Sequence, residues 1–122
     1  MHQIMLIEDD PTMVQLLKLL LEMEGYSVSM FGDGTVETTM AAMHKNAPDL
    51  ALLDINLQYM NGLDLLKNMR QDPALNKIKV VMTSGYDARE TCLNTGANAF
   101  LLKPYMPDDL IEQIKKELTN RA

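Results

Sequence analysis

"QIMLIEDDP", Gln3 to Pro11, drives four apolar residues straight into three adjacent carboxylates, Glu8, Asp9 and Asp10. An apolar run this short reads as a buried strand. Two unit charges about 4 Å apart at an effective dielectric near 20 repel by roughly 4 kcal/mol. Three together therefore call for a bound cation, a raised carboxylate pKa, plain solvent exposure or a helix start that needs a cap. Asp10 reads best as the cap, because it precedes Pro11, a favoured first helical residue.

Working outward, the same alternation of strand and helix recurs along the chain. Strands are predicted at Ile4 to Ile7, Ser27 to Met30, Leu50 to Leu53, Ile78 to Met82 and Ala99 to Leu102. Most are continuous apolar runs, as in parallel strands covered on both faces. Helical spacing of Val14, Leu17, Leu20 and Leu21 predicts a first helix that stops near Gly25. Others are predicted at Thr35 to Lys45, at Leu63 to Arg70 and, short, within Asp87 to Thr95. A last one follows Pro107, with Asp108 as its cap and Leu110, Ile111, Ile114 and Leu118 on one face. Right-handed βα crossovers then imply an α/β fold, a doubly wound parallel sheet of five strands and five helices.

The 122 residues suit one domain, and 47% hydrophobic with 23% charged residues is the composition of a folded globular chain. Net charge is -6 and the eleven Lys and Arg are scattered, so neither nucleic acid nor a membrane is an expected direct partner. No apolar run reaches the roughly 18 residues of a membrane span, and no signal peptide is visible. With a single cysteine, Cys92, no internal disulfide is expected, and a cytoplasmic location is.

Doubly wound sheets bind ligands at the carboxyl ends of their strands. Collected there are Glu8 and Asp9, Asp54, Thr83 and Ser84, and Lys103. Each alone has an ordinary explanation as an exposed acid or a turn. Together they offer hard oxygen ligands for Mg²⁺ or Mn²⁺, plus a hydroxyl and an ammonium suited to phosphoryl oxygens. Asp54 stands out because it follows "LALL", where an unpaired carboxylate would be costly to desolvate.

"LIEDDP", "PDLALLDINLQYMNGLDLL", "KVVMTSGY" and "GANAFLLKPY" occur in this order, each at a predicted strand end. They resemble the receiver domain of two-component response regulators, the CheY-like family, over residues 1–122. The resemblance implies strand order 2-1-3-4-5. It implies that Asp54 accepts a phosphoryl group from the phosphohistidine of a sensor histidine kinase or a histidine phosphotransfer protein. Asp9 and Asp54 would bind Mg²⁺ (or Mn²⁺) by side chain, Asn56 by its main-chain carbonyl and Glu8 through a water, while Lys103 pairs with a phosphoryl oxygen. Ser84 would be the switch hydroxyl if Ile78-Lys79-Val80 begins the strand, and Thr83 in the rival register. Phe100 matches the switch aromatic, against a plain reading as an edge-of-core ring.

The fourth helix, fifth strand and fifth helix would show the change to an output domain or effector. The domain is then a signalling phosphoacceptor rather than an enzyme, assisting its own phosphorylation and dephosphorylation. An alternative is a degenerate receiver that acts as a phosphorylation-independent interaction module. Flavodoxin-like and dehalogenase-like readings fit less well: "EDDP" would repel a flavin phosphate, and the second acid expected two residues after Asp54 is Asn56.

Overall fold

The computed structural model describes residues 1–119. In chain order the elements are β1 (Gln3–Ile7), α1 (Pro11–Met23), β2 (Ser27–Met30), α2 (Val36–Lys45), β3 (Leu50–Asp54), α3 (Gly62–Gln71), β4 (Lys79–Ser84), α4 (Arg89–Thr95), β5 (Ala99–Leu102) and α5 (Pro107–Thr119). Every neighbouring strand pair is parallel, in the order β2-β1-β3-β4-β5. The sequence expectation for the fold holds. The sequence predicts one domain over 1–122, of which residues 120–122 lie outside the described part.

Side-chain alternation on the strands builds two cores, one per sheet face. Ile4, Leu6, Leu50, Leu52, Val81 and Ala99 face α1 and α5, meeting Leu17, Leu21, Leu110, Ile114 and Leu118. Met5, Ile7, Ala51, Leu53, Val80, Met82 and Phe100 face α2, α3 and α4, meeting Met43, Leu65, Leu66, Met69 and Cys92. All five residues of β3 are buried, so a continuous apolar strand ending in Asp54 is what a central position requires. β2, by contrast, is an edge strand with mostly exposed residues.

The helix starts follow capping rules. Asp10 accepts from Thr12 N at 3.0 Å and Met13 N at 3.3 Å, with Pro11 in the first turn. Asp10 is therefore the cap of α1, as its position before Pro11 suggested. Thr35 and Thr38 form a reciprocal capping box for α2, and Asn61 caps α3 through Leu63 N. Gly25, just past α1, has φ +93°, the left-handed conformation that glycine adopts at least cost.

Several boundaries shift by a residue or two from the sequence reading, and two of these shifts matter. Helix α5 starts at Pro107, and Met106 O accepts from Asp109 N and Leu110 N, so Asp108 lies in the first turn instead of capping it. There its charge favours the positive helix end. Strand β4 begins at Lys79 and continues through Thr83 and Ser84, because both polar residues are buried and pair with neighbouring strands.

Candidate functional site

The carboxyl ends of β1, β3 and β5 open on one edge of the sheet, with β4 between β3 and β5, and bring Glu8, Asp54 and Lys103 together. Glu8 and Asp54 are each only 7% exposed, so their charges need partners. Lys103 Nζ supplies one, donating to Glu8 Oε1 at 2.6 Å and to Asp54 Oδ2 at 3.0 Å. Burial pulls the Lys103 ammonium down, but its hydrogen bonds to the two carboxylates outweigh that, and its pKa stands above the ordinary lysine value. The remaining oxygen of Glu8 accepts from the main-chain N–H of Asp9 at 3.0 Å and of Asp10 at 3.4 Å.

Asp9 is exposed, and its Oδ2 accepts from Gln58 N at 2.7 Å. Asp54 Oδ1 is held only loosely, 3.4 Å from Asn56 N. Two glycines let other backbone segments pass close behind the acids. A Cβ on Gly32 would lie 2.0 Å from Glu8 O, and one on Gly62 2.2 Å from Asp54 O. Neither position has room for any side chain.

Two carboxylates share one ammonium here, which leaves the cluster net negative before Asp9 is counted. Among the described residues no three His, Cys, Asp or Glu side chains gather closely enough to hold a metal by themselves. One or two carboxylates completed by a carbonyl and waters is nevertheless what Mg²⁺ takes, and the donors present are all hard oxygens. The residues therefore fit such a cation.

The two hydroxyl candidates separate by face. Thr83 pairs with Asp54 in the register and continues the α1/α5 face of Val81. Ser84, fully buried, continues the opposite face of Val80 and Met82, the face that also carries Phe100. Its Oγ accepts from Tyr86 N at 3.1 Å, and its carbonyl accepts from Lys103 N at 2.8 Å. Phe100 is 2% exposed, with the Arg89 guanidinium 5.5 Å from its ring centroid, a cation–π distance.

Sequence reasoning passed over three neighbours. Gln58 acts through its main chain and Arg89 reads as a surface charge on a short helix, so neither leaves a signal in residue type. Tyr105 follows Lys103-Pro104; burial pushes its hydroxyl up to about 12, with Lys103 opposing and Glu8 and Asp54 reinforcing the shift. With Met13, Leu16, Leu17, Pro104 and Pro107 it lines an apolar hollow of about 360 Å³ that Lys103 borders.

Comparison with known proteins agrees with this geometry. Residues 4–115 match the response regulator receiver domain family. The DNA-binding response regulator MtrA of Mycolicibacterium smegmatis is 31% identical over 96% of this chain and 50% of its own length. The transcriptional regulatory protein CpxR of Klebsiella pneumoniae is 35% identical over 94% of this chain and 48% of its own. The chain thus spans about half the length of these curated relatives. A crystal structure of a putative response regulator from Chloroflexus aurantiacus superposes with a TM-score of 0.89 at 30% identity, covering 98% of both chains. With the CheY-like strand order, the acid pair and the lysine each at its strand end, the chain belongs to the receiver domain family of two-component response regulators.

Proposed function

We propose that this chain is a competent phosphoacceptor, one receiver domain over 1–122, and that Asp54 takes the phosphoryl group. The observation that carries the reading is the Lys103 ammonium within 3.0 Å of Asp54 Oδ2 at the mouth of a buried strand end. An Asp54 oxygen attacks the phosphorus of a phosphohistidine, the P–N bond breaks, and the imidazole leaves with its electron pair. The product is an acyl phosphate on Asp54. In such transfers positioning and charge neutralisation provide most of the catalysis.

Lys103 is already poised to move from its carboxylate partners to a phosphoryl oxygen. Asp9 and Asp54 by side chain, Asn56 by its carbonyl and Glu8 through a water would hold Mg²⁺ or Mn²⁺, which when bound supplies further positive charge beside the transferring group. Glu8 keeps Lys103 in place before transfer. The same residues would orient a water for hydrolysis, so the domain assists its own dephosphorylation.

Ser84 is the preferred switch hydroxyl, because it shares a sheet face with Phe100 and can couple a movement toward Asp54 to that ring. Thr83 is nearer to Asp54 in register but faces away from Phe100. Phosphorylation then favours one of two states of the α4-β5-α5 face, since the new bonds exist in only one of them. The phosphodonor is a sensor histidine kinase or histidine phosphotransfer protein, and the apolar hollow beside Lys103 gives it a surface to rest on.

The output domain or effector is controlled through the switched face. Relatives named for DNA binding are about twice as long as this chain, so the absence of direct nucleic-acid contact is proposed for this domain alone. Among the described residues no helix is long and apolar enough to cross a membrane. A cytoplasmic location suits a partner kinase that must reach Asp54.

Incubation with Mg²⁺ and acetyl phosphate should add one phosphoryl group by intact mass, and Asp54→Asn should abolish the addition. Labelling that persists in Asp54→Asn would move the acceptor elsewhere. No labelling of the wild type would favour the phosphorylation-independent interaction module.

A further inference from the structure

We propose that Arg89 is a positioning residue for Phe100, its guanidinium holding the ring in the buried rotamer and so favouring the state that phosphorylation of Asp54 also favours. The inference rests on the switch reading of Phe100 proposed above and deepens it, since Arg89 touches neither Asp54 nor a phosphoryl oxygen.

Arg89 is badly placed for its own helix. The first turns of α2, α3 and α5 carry acids, Glu37, Asp64, Asp108 and Asp109, as the positive end of a helix prefers. Helix α4 opens on a cation instead, and its N-cap, Ala88, makes no side-chain hydrogen bond. Asp87 Oδ1 accepts from the Arg89 main-chain N–H at 3.2 Å, and among the described residues the guanidinium makes no ion pair. What it does meet is the Phe100 ring, 5.5 Å from the centroid.

The packing keeps that contact in reach. Ala88 and Cys92, one turn apart on α4, lie in the same buried cluster as Phe100 and Met82, and Met82 pairs with Phe100 across β4 and β5. At its far end α4 is anchored, because Arg70 Nε donates to Gly96 O at 2.8 Å. The weakly capped end is therefore the one that carries Arg89, and the cation–π contact closes it over the ring.

The link to Asp54 is steric. Ser84 shares the sheet face of Phe100, so a Ser84 hydroxyl drawn toward a phosphoryl group vacates space on that face. A ring held inside fills the space, and close-packed interiors do not tolerate voids. Arg89 and the phosphoryl group thus favour the same buried ring.

The test is relaxation-dispersion NMR of the full chain with ring-labelled phenylalanine, which reads minor conformers exchanging in microseconds to milliseconds. Only Phe31 and Phe100 are labelled, and Phe31 serves as the control. Arg89→Gln should raise the ratio of outward to buried Phe100 about two- to fivefold, the range for an exposed cation–π contact, and leave Phe31 unchanged. Arg89→Lys, which keeps the charge, should recover part of the difference. An outward conformer at the same ratio in Arg89→Gln and wild type, or registering in neither, would overturn the proposal. So would a full loss in Arg89→Lys together with a matching change at Phe31, which would mark a general loosening of the fold.

Beryllium trifluoride with Mg²⁺, standing in for the phosphoryl group on Asp54, separates the two readings. It should return the ratio in Arg89→Gln toward the wild-type value. A ratio indifferent to it would overturn the coupling between Phe100 and Asp54, and with it the regulatory role of Arg89, even where the variants without the mimic show that the contact holds the ring.

Discussion

Lys103 and Arg70 are two partly buried cations at opposite ends of the same sheet, and their partners differ in kind. Lys103 sits at the carboxyl end and is bonded to two carboxylates. Arg70, in the last turn of α3, sits near the amino end of β4 and is bonded to neutral acceptors: Gly96 O, Asn76 O, Ile78 O and Asn98 Oδ1, at 2.8 to 3.1 Å. Gly96 caps α4, so Arg70 also meets the negative ends of two helix dipoles. Burial lowers its pKa, whereas that of Lys103 is raised.

The difference separates a fastening from a working contact. Arg70's planar fork fits several fixed carbonyls at once, a geometry that no single-point ammonium can copy. Lys103's compact charge on a flexible stem can leave one oxygen for another without rebuilding the backbone. Under the proposed function the end of the sheet that changes holds the adaptable cation, and the opposite end holds the rigid one.

The comparison is tested most severely by Arg70→Ala. It strands carbonyls at the α4–β5 turn and the β4 entry, and should cost about 3 kcal/mol, lowering Tm by roughly 10 °C. Phosphorylation of Asp54 in the folded fraction should be unaffected, and a large loss of labelling there would erase the distinction. Lys103→Met should have a smaller effect on stability, roughly 2 kcal/mol without divalent cation, because it leaves Glu8 and Asp54 in unrelieved repulsion. Added Mg²⁺ should recover much of that loss in a denaturant titration. A deficit indifferent to Mg²⁺ would mean that the two carboxylates do not share a cation site.

The smallest effect concerns pH. An unfolded tyrosine ionises near pH 10, whereas Tyr105 beside Lys103 is held at about 12. Between these values the unfolded chain has released a proton that the folded chain retains, so stability falls as pH rises. The raised Lys103 acts in the same sense: its contribution is complete below the unfolded lysine value and fades as pH climbs through the folded one. Tyr105→Phe should remove the tyrosine part, on the order of 1 kcal/mol, flattening the fall in urea midpoint above about pH 10. An unchanged slope would assign the alkaline loss to Lys103 and the other groups held above their ordinary values, Lys115 and Tyr26 among them.

The fold was legible because its strands are apolar runs of nearly the right length, and Asp10-Pro11 and the glycine after α1 mark the limits of a helix chemically. The acids and Lys103 were legible because strand ends are where a doubly wound sheet presents its chemistry. What escaped was tertiary. Thr83 and Ser84 fall just past the apolar run, yet the paired strands on both sides keep them in β4. Arg70 closes an amphipathic helix as a surface residue would, and only the folded chain shows the carbonyls it gathers. Gln58 contributes an amide that every residue except proline possesses, so nothing in its side chain could announce it.

Gly32 and Gly62 carry a practical consequence for anyone who would move this site to another scaffold. Each lies against the carbonyl of an acid it never touches by side chain, about 2 Å from where its missing Cβ would be. Copying Glu8, Asp54 and Lys103 alone would transfer the letters without the spacing between them. The transplantable unit is an acid together with the bare backbone that passes behind it, and a library that varies those two glycines will be made up largely of failures.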